Sequence, residues 1–164
     1  MSSRPIDLAR SRVVPIIAVN DVEICYEDFG PEGAPTALLI MGMGAQMTVW
    51  PTGFVSALLE RGFRVIRFDN RDSGLSTKSV GDPPDVGAIT AAAVAVEPVD
   101  APYTLSTMAA DAVGILDHFG IDQAHIVGQS LGGMIAQVVA LEHRDRGLSL
   151  TSIFSMTGDP EVFQ

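Results

Sequence analysis

The sequence predicts an α/β fold: a mostly parallel sheet with helices on both faces and an antiparallel hairpin at its amino end. Two observations predict the layers. Short, continuously apolar runs alternate with segments whose apolar residues recur every three or four positions, as parallel strands and their crossover helices require. Two alternating runs on either side of Asn20-Asp21 add the hairpin. A third observation, Gly128-Gln129-Ser130-Leu131-Gly132 set between an apolar run and a helical pattern, marks a sharp strand-to-helix turn.

Taken in order, Ile16-Ile17-Ala18-Val19 and Val22-Glu23-Ile24-Cys25-Tyr26 form the hairpin strands. The turn cluster Gly30 to Pro35 follows, and Ala37-Leu38-Leu39-Ile40-Met41 is apolar throughout, as a strand covered on both faces is. The glycine-containing stretch Met41-Gly42-Met43-Gly44-Ala45-Gln46 then lies just outside the carboxyl end of a strand, where open α/β sheets place ligands. Phe54 to Arg61 has helical spacing and stops at Gly62 before a strand over Phe63 to Phe68. Asp69 to Thr77 is a polar, turn-rich loop. Gly87 to Val96 reads as a short apolar helix, capped by Asp85, whose faces suit it to cover a pocket. Thr104 is an N-cap for a helix carrying Leu105, Met108, Ala109, Ala112, Leu116 and Phe119, ended by Gly120. The run before Ser130 is a strand beginning at Ala124, Leu131 to Glu142 a helix, and Leu150 to Met156 a last strand. With no internal repeat and no linker, residues 1–164 read as one domain.

Composition narrows the function. With 47% hydrophobic residues the chain has a core, and 10 Lys+Arg against 20 Asp+Glu give a net charge of -10. That balance repels phosphate backbones and anionic lipids, so no nucleic acid or membrane partner is expected. A single cysteine, Cys25, cannot form an internal disulfide and reads as a small buried hydrophobe. The short apolar run after Arg4, Arg10 and Arg12 is broken by Pro15 and is no signal peptide, and no run approaches the ~18 residues of a membrane span. The expected compartment is the cytoplasm.

Ser130 is the candidate nucleophile. On a nucleophile elbow the strand and helix approach so closely that small residues are needed two before and two after the serine, and Gly128 and Gly132 supply them. The hydroxyl needs a base, and the tetrahedral intermediate needs at least two N–H donors. Leu131 N–H is one by position; the other comes from the loop after the first central strand, with Met43 chosen and Gly42 the alternative. Gly42 and Gln129 are expected to border the substrate pocket. Asp69, Arg71 and Asp72 read as a loop tied together by its own Arg and two Asp, against a paired-carboxylate mechanism. A dinucleotide site is disfavoured, because Gly42-Met43-Gly44 is followed by Met47 where a third glycine belongs.

On these motifs the chain resembles the α/β-hydrolase family over nearly its whole length. Met41-Gly42, where family members often have His-Gly, with Phe68-Asp69-Asn70-Arg71-Asp72-Ser73-Gly74-Leu75-Ser76 and Ser155-Met156-Thr157-Gly158-Asp159-Pro160, looks more like the branch containing aclacinomycin methylesterase. The resemblance implies a triad in the order Ser, acid, His, with the acid after a later strand and the His after the last. This chain stops about where the strand after the elbow helix ends, so the C-terminal strands of the fold are expected to be missing. Its three histidines do not fill the gap. His118 lies on the helix before the elbow strand, His125 begins that strand, and His143 closes the elbow helix roughly 20 Å from the serine at about 1.5 Å per residue. Asp159 follows the last strand, a position from which some members supply the acid; the competing reading is a turn in Thr-Gly-Asp-Pro.

Two functions are therefore expected. One is hydrolysis of a mostly apolar small-molecule ester through a Ser130 acyl-enzyme, with no metal or organic cofactor. The other is a catalytically incomplete fragment that only binds ligand or a complementing chain. In either case the last strand is left as an apolar sheet edge, which favours self-association.

Overall fold

The computed structural model describes residues 14–81, 85–95, 99 and 101–157. The elements run β1 (Ile16–Val19), β2 (Val22–Phe29), β3 (Thr36–Ile40), α1 (Thr52–Glu60), β4 (Arg64–Phe68), α2 (Val86–Val94), α3 (Leu105–His118), β5 (Ala124–Gln129), α4 (Leu131–Glu142) and β6 (Gly147–Ile153). The strands form one sheet in the order β1-β2-β4-β3-β5-β6. Pairing is antiparallel from β1 through β2 to β4 and parallel from β4 through β3 and β5 to β6. This is the mixed, mostly parallel sheet with an opening hairpin that the sequence predicts.

The hairpin turns tightly, with Val19 opposite Val22 and Asn20 in the left-handed region at φ 52°. β2 runs three residues beyond the expected Tyr26, because its second half pairs with β4 from Tyr26 opposite Phe68 to Phe29 opposite Val65. That pairing also explains two arginines in a strand whose five residues are all buried. Arg64 donates Nε and Nη2 to the two carboxylate oxygens of Asp28 at 2.9 and 2.7 Å, and Arg67 donates Nε to Glu27 Oε2 at 2.7 Å. Charges buried in this way persist only when paired and hydrogen-bonded.

Helices cover both faces. α1 packs Val55 with Leu39, Met41, Val65 and Val127 on one side, and α3 and α4 pack Ala109, Ile115, Leu116, Ile135 and Val139 against Leu38, Ile40, Ile66 and Ile126 on the other. α3 starts in a reciprocal cap: Thr104 Oγ1 accepts the Thr107 N–H at 3.2 Å and Thr107 Oγ1 accepts the Thr104 N–H at 3.3 Å. Asp85 caps α2 by accepting the Ala88 N–H at 3.0 Å. The last strand departs from expectation: β6 begins at Gly147, opposite Ala124, and ends at Ile153 rather than Met156. Phe154, at φ 54°, turns the chain out of the sheet there. Among the described residues no helix is long and apolar enough to cross a membrane.

Candidate functional site

Strands β3, β4 and β5 end side by side, with Ile40 opposite both Phe68 and Gly128. The segments that leave them, Met41–Gly42, Asp69–Arg71 and Ser130, therefore emerge at one edge of the sheet. Ser130 occupies the turn between β5 and α4 at φ 54°, ψ -123°, a backbone conformation that costs a non-glycine residue about 1–3 kcal/mol and persists only where the surroundings enforce it. The enforcement is visible. A Cβ on Gly128 would sit on the Gly132 carbonyl and 2.6 Å from the Gly133 nitrogen. One on Gly132 would sit on the Ile40 carbonyl, 2.7 Å from the Met41 oxygen. The Ser130 N–H donates to the Ile153 carbonyl of β6 at 2.8 Å, and its carbonyl accepts the Gly133 N–H at 2.8 Å.

The serine side chain is left exposed at the amino end of α4. Leu131 is the first residue of that helix, so its N–H has no intrahelical carbonyl to bond, and the dipole adds positive potential at the same place. On the other side stands the loop after β3. A Cβ on Gly42 would lie 3.0 Å from Ser130 Cβ and 3.5 Å from Ser130 Oγ, so loop and serine are in direct contact only because residue 42 has no side chain. The Met43 side chain is 83% exposed. Gln129, the last residue of β5, is half-buried and pairs with Ile153.

The loop is braced by Asn70, to which no role is read from the sequence, and by Asp69, expected only to tie its own loop. Asn70 Nδ2 donates to the Met41 carbonyl at 2.9 Å, and Asp69 Oδ1 accepts the Met47 N–H at 2.7 Å. The Gly42 carbonyl accepts the Ala45 N–H at 3.3 Å. Two successive peptide planes, Met41–Gly42 and Gly42–Met43, are thereby fixed through their carbonyls. The other Asp69 oxygen accepts the Leu75 N–H at 3.0 Å, so this carboxylate is structural.

The Asp-Arg-Asp loop does not close on itself as expected. Arg71 reaches away to α3, donating Nε and Nη2 to Asp111 at 2.7 and 2.9 Å, and to the hairpin turn, where Asp21 accepts at 3.0 Å. Arg71 is raised above the usual arginine range, chiefly by the Asp111 hydrogen bond and against the cost of burial. Asp72 instead binds Ser79 through its N–H at 2.5 Å and its hydroxyl at 2.9 Å, and accepts from the Tyr103 hydroxyl. Burial acts to raise the Asp72 carboxyl, but these hydrogen bonds and Lys78 nearby hold it below the ordinary range. Burial, then the bond to Asp72, pushes Tyr103 up to about 12.

A cleft of about 210 Å³ lies beside the serine, with Gly42, Met43, Arg71, Asp72, Tyr103 and Leu131 among its lining residues. A larger one, about 640 Å³, lies at the opposite edge of the sheet against Thr36, Arg64 and His118. His118 is thus at the wrong edge. His125 bonds Ser149 Oγ at 2.8 Å and is about 17 Å of strand from Ser130, and His143 follows the far end of α4. No described histidine approaches the serine, and Asp159 lies outside the described residues. Among the described residues no group of three or more His, Cys, Asp or Glu is placed to hold a metal ion.

Comparisons with known proteins agree with this fold. A family model described as alpha/beta hydrolase fold matches residues 35–163. Rhodomycin D methylesterase of Streptomyces peucetius is 34% identical over 136 residues, 83% of this chain and 40% of that protein. The crystal structure of the enol-lactonase from Burkholderia xenovorans LB400 matches with a TM-score of 0.62 at 30% identity, covering 80% of this chain and 43% of that one. A carboxylesterase structure from Nitrososphaera gargenis matches with a TM-score of 0.69 over 87% of this chain and 46% of that one; at 23% identity it speaks for the fold alone. The chain spans about 40% of the length of the curated relatives it matches.

Proposed function

The chain belongs to the α/β-hydrolase fold family, and from that membership we propose that it carries the nucleophile half of an ester hydrolase acting on a small, mostly apolar molecule. Ser130 Oγ attacks the ester carbonyl carbon, the alcohol leaves with a proton, and water then releases the acid from the acyl-serine. The Met43 and Leu131 N–H groups, with Gly42 the alternative to Met43, receive the oxyanion, and Gly42 and Gln129 border the substrate. The observation that carries the reading is the enforced positive φ of Ser130 at the head of α4, beside a loop whose peptide planes are fixed. Methylester and lactone hydrolysis by relatives supports the ester class. No metal, organic cofactor or nucleic acid enters the proposal, and the compartment is the cytoplasm.

A second reading rests on the positions of the histidines. With none within reach of Ser130 among the described residues, the chain by itself acts as a binding or complementing module, and base and acid come from elsewhere. Asp159 remains the candidate acid of this sequence. Labelling with a fluorophosphonate, with Ser130→Ala as control, tests both readings. Slow labelling confined to Ser130 is the expected result, since an oxyanion hole without its base retains only a residual rate. Rapid labelling would overturn the incomplete reading, and labelling that survives Ser130→Ala would overturn the assignment of the nucleophile.

A further inference from the structure

Glycine at position 42 suits its place beside Ser130 and is at the same time a weakness there. A Cβ on Gly42 would press on Ser130 Cβ at 3.0 Å, which favours a residue without one. Yet glycine leaves the peptides on either side of it free to rotate, because no side chain restricts φ and ψ. An oxyanion hole works only when its N–H groups are already aimed where the charge develops. The N–H groups of Gly42, Met43 and Leu131 donate to no acceptor among the described residues, and all three residues line the cleft beside the serine. Helix α4 holds the Leu131 N–H in place. The other two lie in a loop and need a holder from outside it.

Asn70 meets that need. It is 4% exposed, lines the same cleft, and donates Nδ2 to the Met41 carbonyl at 2.9 Å. The acceptor fixes the orientation of the amide, since turning it over would set an oxygen against an oxygen. In a trans peptide the N–H points opposite to the C=O, so this bond aims the Gly42 N–H and sets the plane from which Met43 follows. Asn70 is itself held on both sides: its carbonyl accepts the Ser73 N–H at 2.9 Å, and the Asp69 N–H before it donates to the Cys25 carbonyl of β2 at 2.9 Å.

We infer that Asn70 is a positioning residue of the proposed ester site: through the Met41 carbonyl it keeps the Gly42 and Met43 N–H groups aimed at the oxyanion formed on Ser130. This rests on the proposed ester site and adds to it the side chain that holds the loop half of the oxyanion hole. Asp69 secures the far end of the same loop, at the Met47 N–H four residues beyond Met43, so the two consecutive residues have separate tasks.

The test uses the 164-residue chain and its fluorophosphonate adduct. In that adduct Ser130 Oγ has bonded to phosphorus, fluoride has left, the serine proton has gone to solvent, and the phosphonyl oxygen stands where the oxyanion would. Asn70→Asp keeps the size of the side chain and, ionised above about pH 8, cannot donate to Met41; Asn70→Leu removes the polar group altogether. Each is expected to slow labelling of Ser130 by at least about tenfold, against the ~100- to 1000-fold that loss of a whole oxyanion donor costs. In the parent adduct the amide protons of Leu131 and of Met43 or Gly42 are expected to move downfield as they bond the phosphonyl oxygen. In both variants the Leu131 shift is expected to stay and the loop shift to be lost, a split that general loosening of the fold would not produce. Urea unfolding followed by Trp50 fluorescence checks that each variant is folded. Labelling within about twofold of the parent in both variants, a loop shift that persists in them, or a Leu131 shift lost along with it would overturn the inference and leave the ester site standing. A parent chain that takes no phosphonate at Ser130, or an adduct in which no amide moves, would overturn the ester site and the inference together.

Discussion

Replacing Asp111 by leucine breaks the buried pair that ties the loop after β4 to α3, together with the bond that Asn20 Nδ2 donates to Asp111 Oδ1 at 3.1 Å. Arg71 and Asp111 meet through bonds of 2.7 and 2.9 Å, with side chains 8% and 3% exposed, so neither charge retains useful hydration. Removing one partner of such a pair costs about 3–5 kcal/mol, because the other charge stays buried without compensation. Asp21 remains for Arg71, but at 75% exposure its charge is screened by solvent and replaces little of what is lost. The expected loss therefore stays within that range of about 3–5 kcal/mol, a large share of the 5–15 kcal/mol typical of a domain. The double replacement Arg71→Met with Asp111→Leu removes both charges and is expected to recover most of that loss. Urea unfolding followed by the fluorescence of Trp50, with slopes compared between variants, measures both numbers. A loss below about 1 kcal/mol for Asp111→Leu, or a double variant as unstable as the single one, would refute the view that Arg71 is held by Asp111.

Three further outcomes are expected. Gly132→Ala drives a Cβ onto the Ile40 carbonyl and is expected to destabilise the fold by about 3 kcal/mol or more, whereas Gly42→Ala, whose Cβ meets Ser130 Cβ at 3.0 Å, is expected to leave the unfolding midpoint nearly unchanged while altering the Ser130 labelling rate; the two measurements on both variants check this. Tyr103, raised to about 12 from its ordinary value near 10, favours the folded state while neutral. Its contribution is therefore complete below about pH 10 and is lost between about pH 10 and 12, a loss that stability curves of Tyr103→Phe are expected to lack. β6 is an edge of the sheet with no charged residue and with Leu148 and Leu150 51% and 43% exposed, so pairing with a second copy of the chain is expected; light scattering that shows a clean monomer at high concentration, indistinguishable from Leu148→Lys, would refute it.

What could be read from the sequence was local. The elbow, its glycines and both ends of α4 follow from neighbours within a few residues, and so does the Thr104 cap. The braces depend on partners far apart in the chain. Arg71 and Asp111 are separated by 40 positions and Asn70 and Met41 by 29, and no periodicity announces either pair. One signal was present: Asp111 lies three after Met108 and four before Ile115, in the buried stripe of α3, where an unpaired acid would be costly. Likewise β6 starts where pairing with Ala124 begins, which apolar residues alone do not mark, and Arg64 and Arg67 make sense in a buried strand only once β2 is beside it.

These distant partners bear on the chemistry as much as the motif does. The strained turn at Ser130 is held on three sides: by the closeness of Gly132 to β3, by the contact with Gly42, and by the Ser130 N–H bond to Ile153. Two of these supports come from β3 and the loop that leaves it and the third from β6, so the serine reports on packing on both sides of β5. The third support is the exposed one, since Ile153 belongs to the edge strand. A polypeptide that adds to β6 would steady the carbonyl that positions the nucleophile as well as cover an apolar edge.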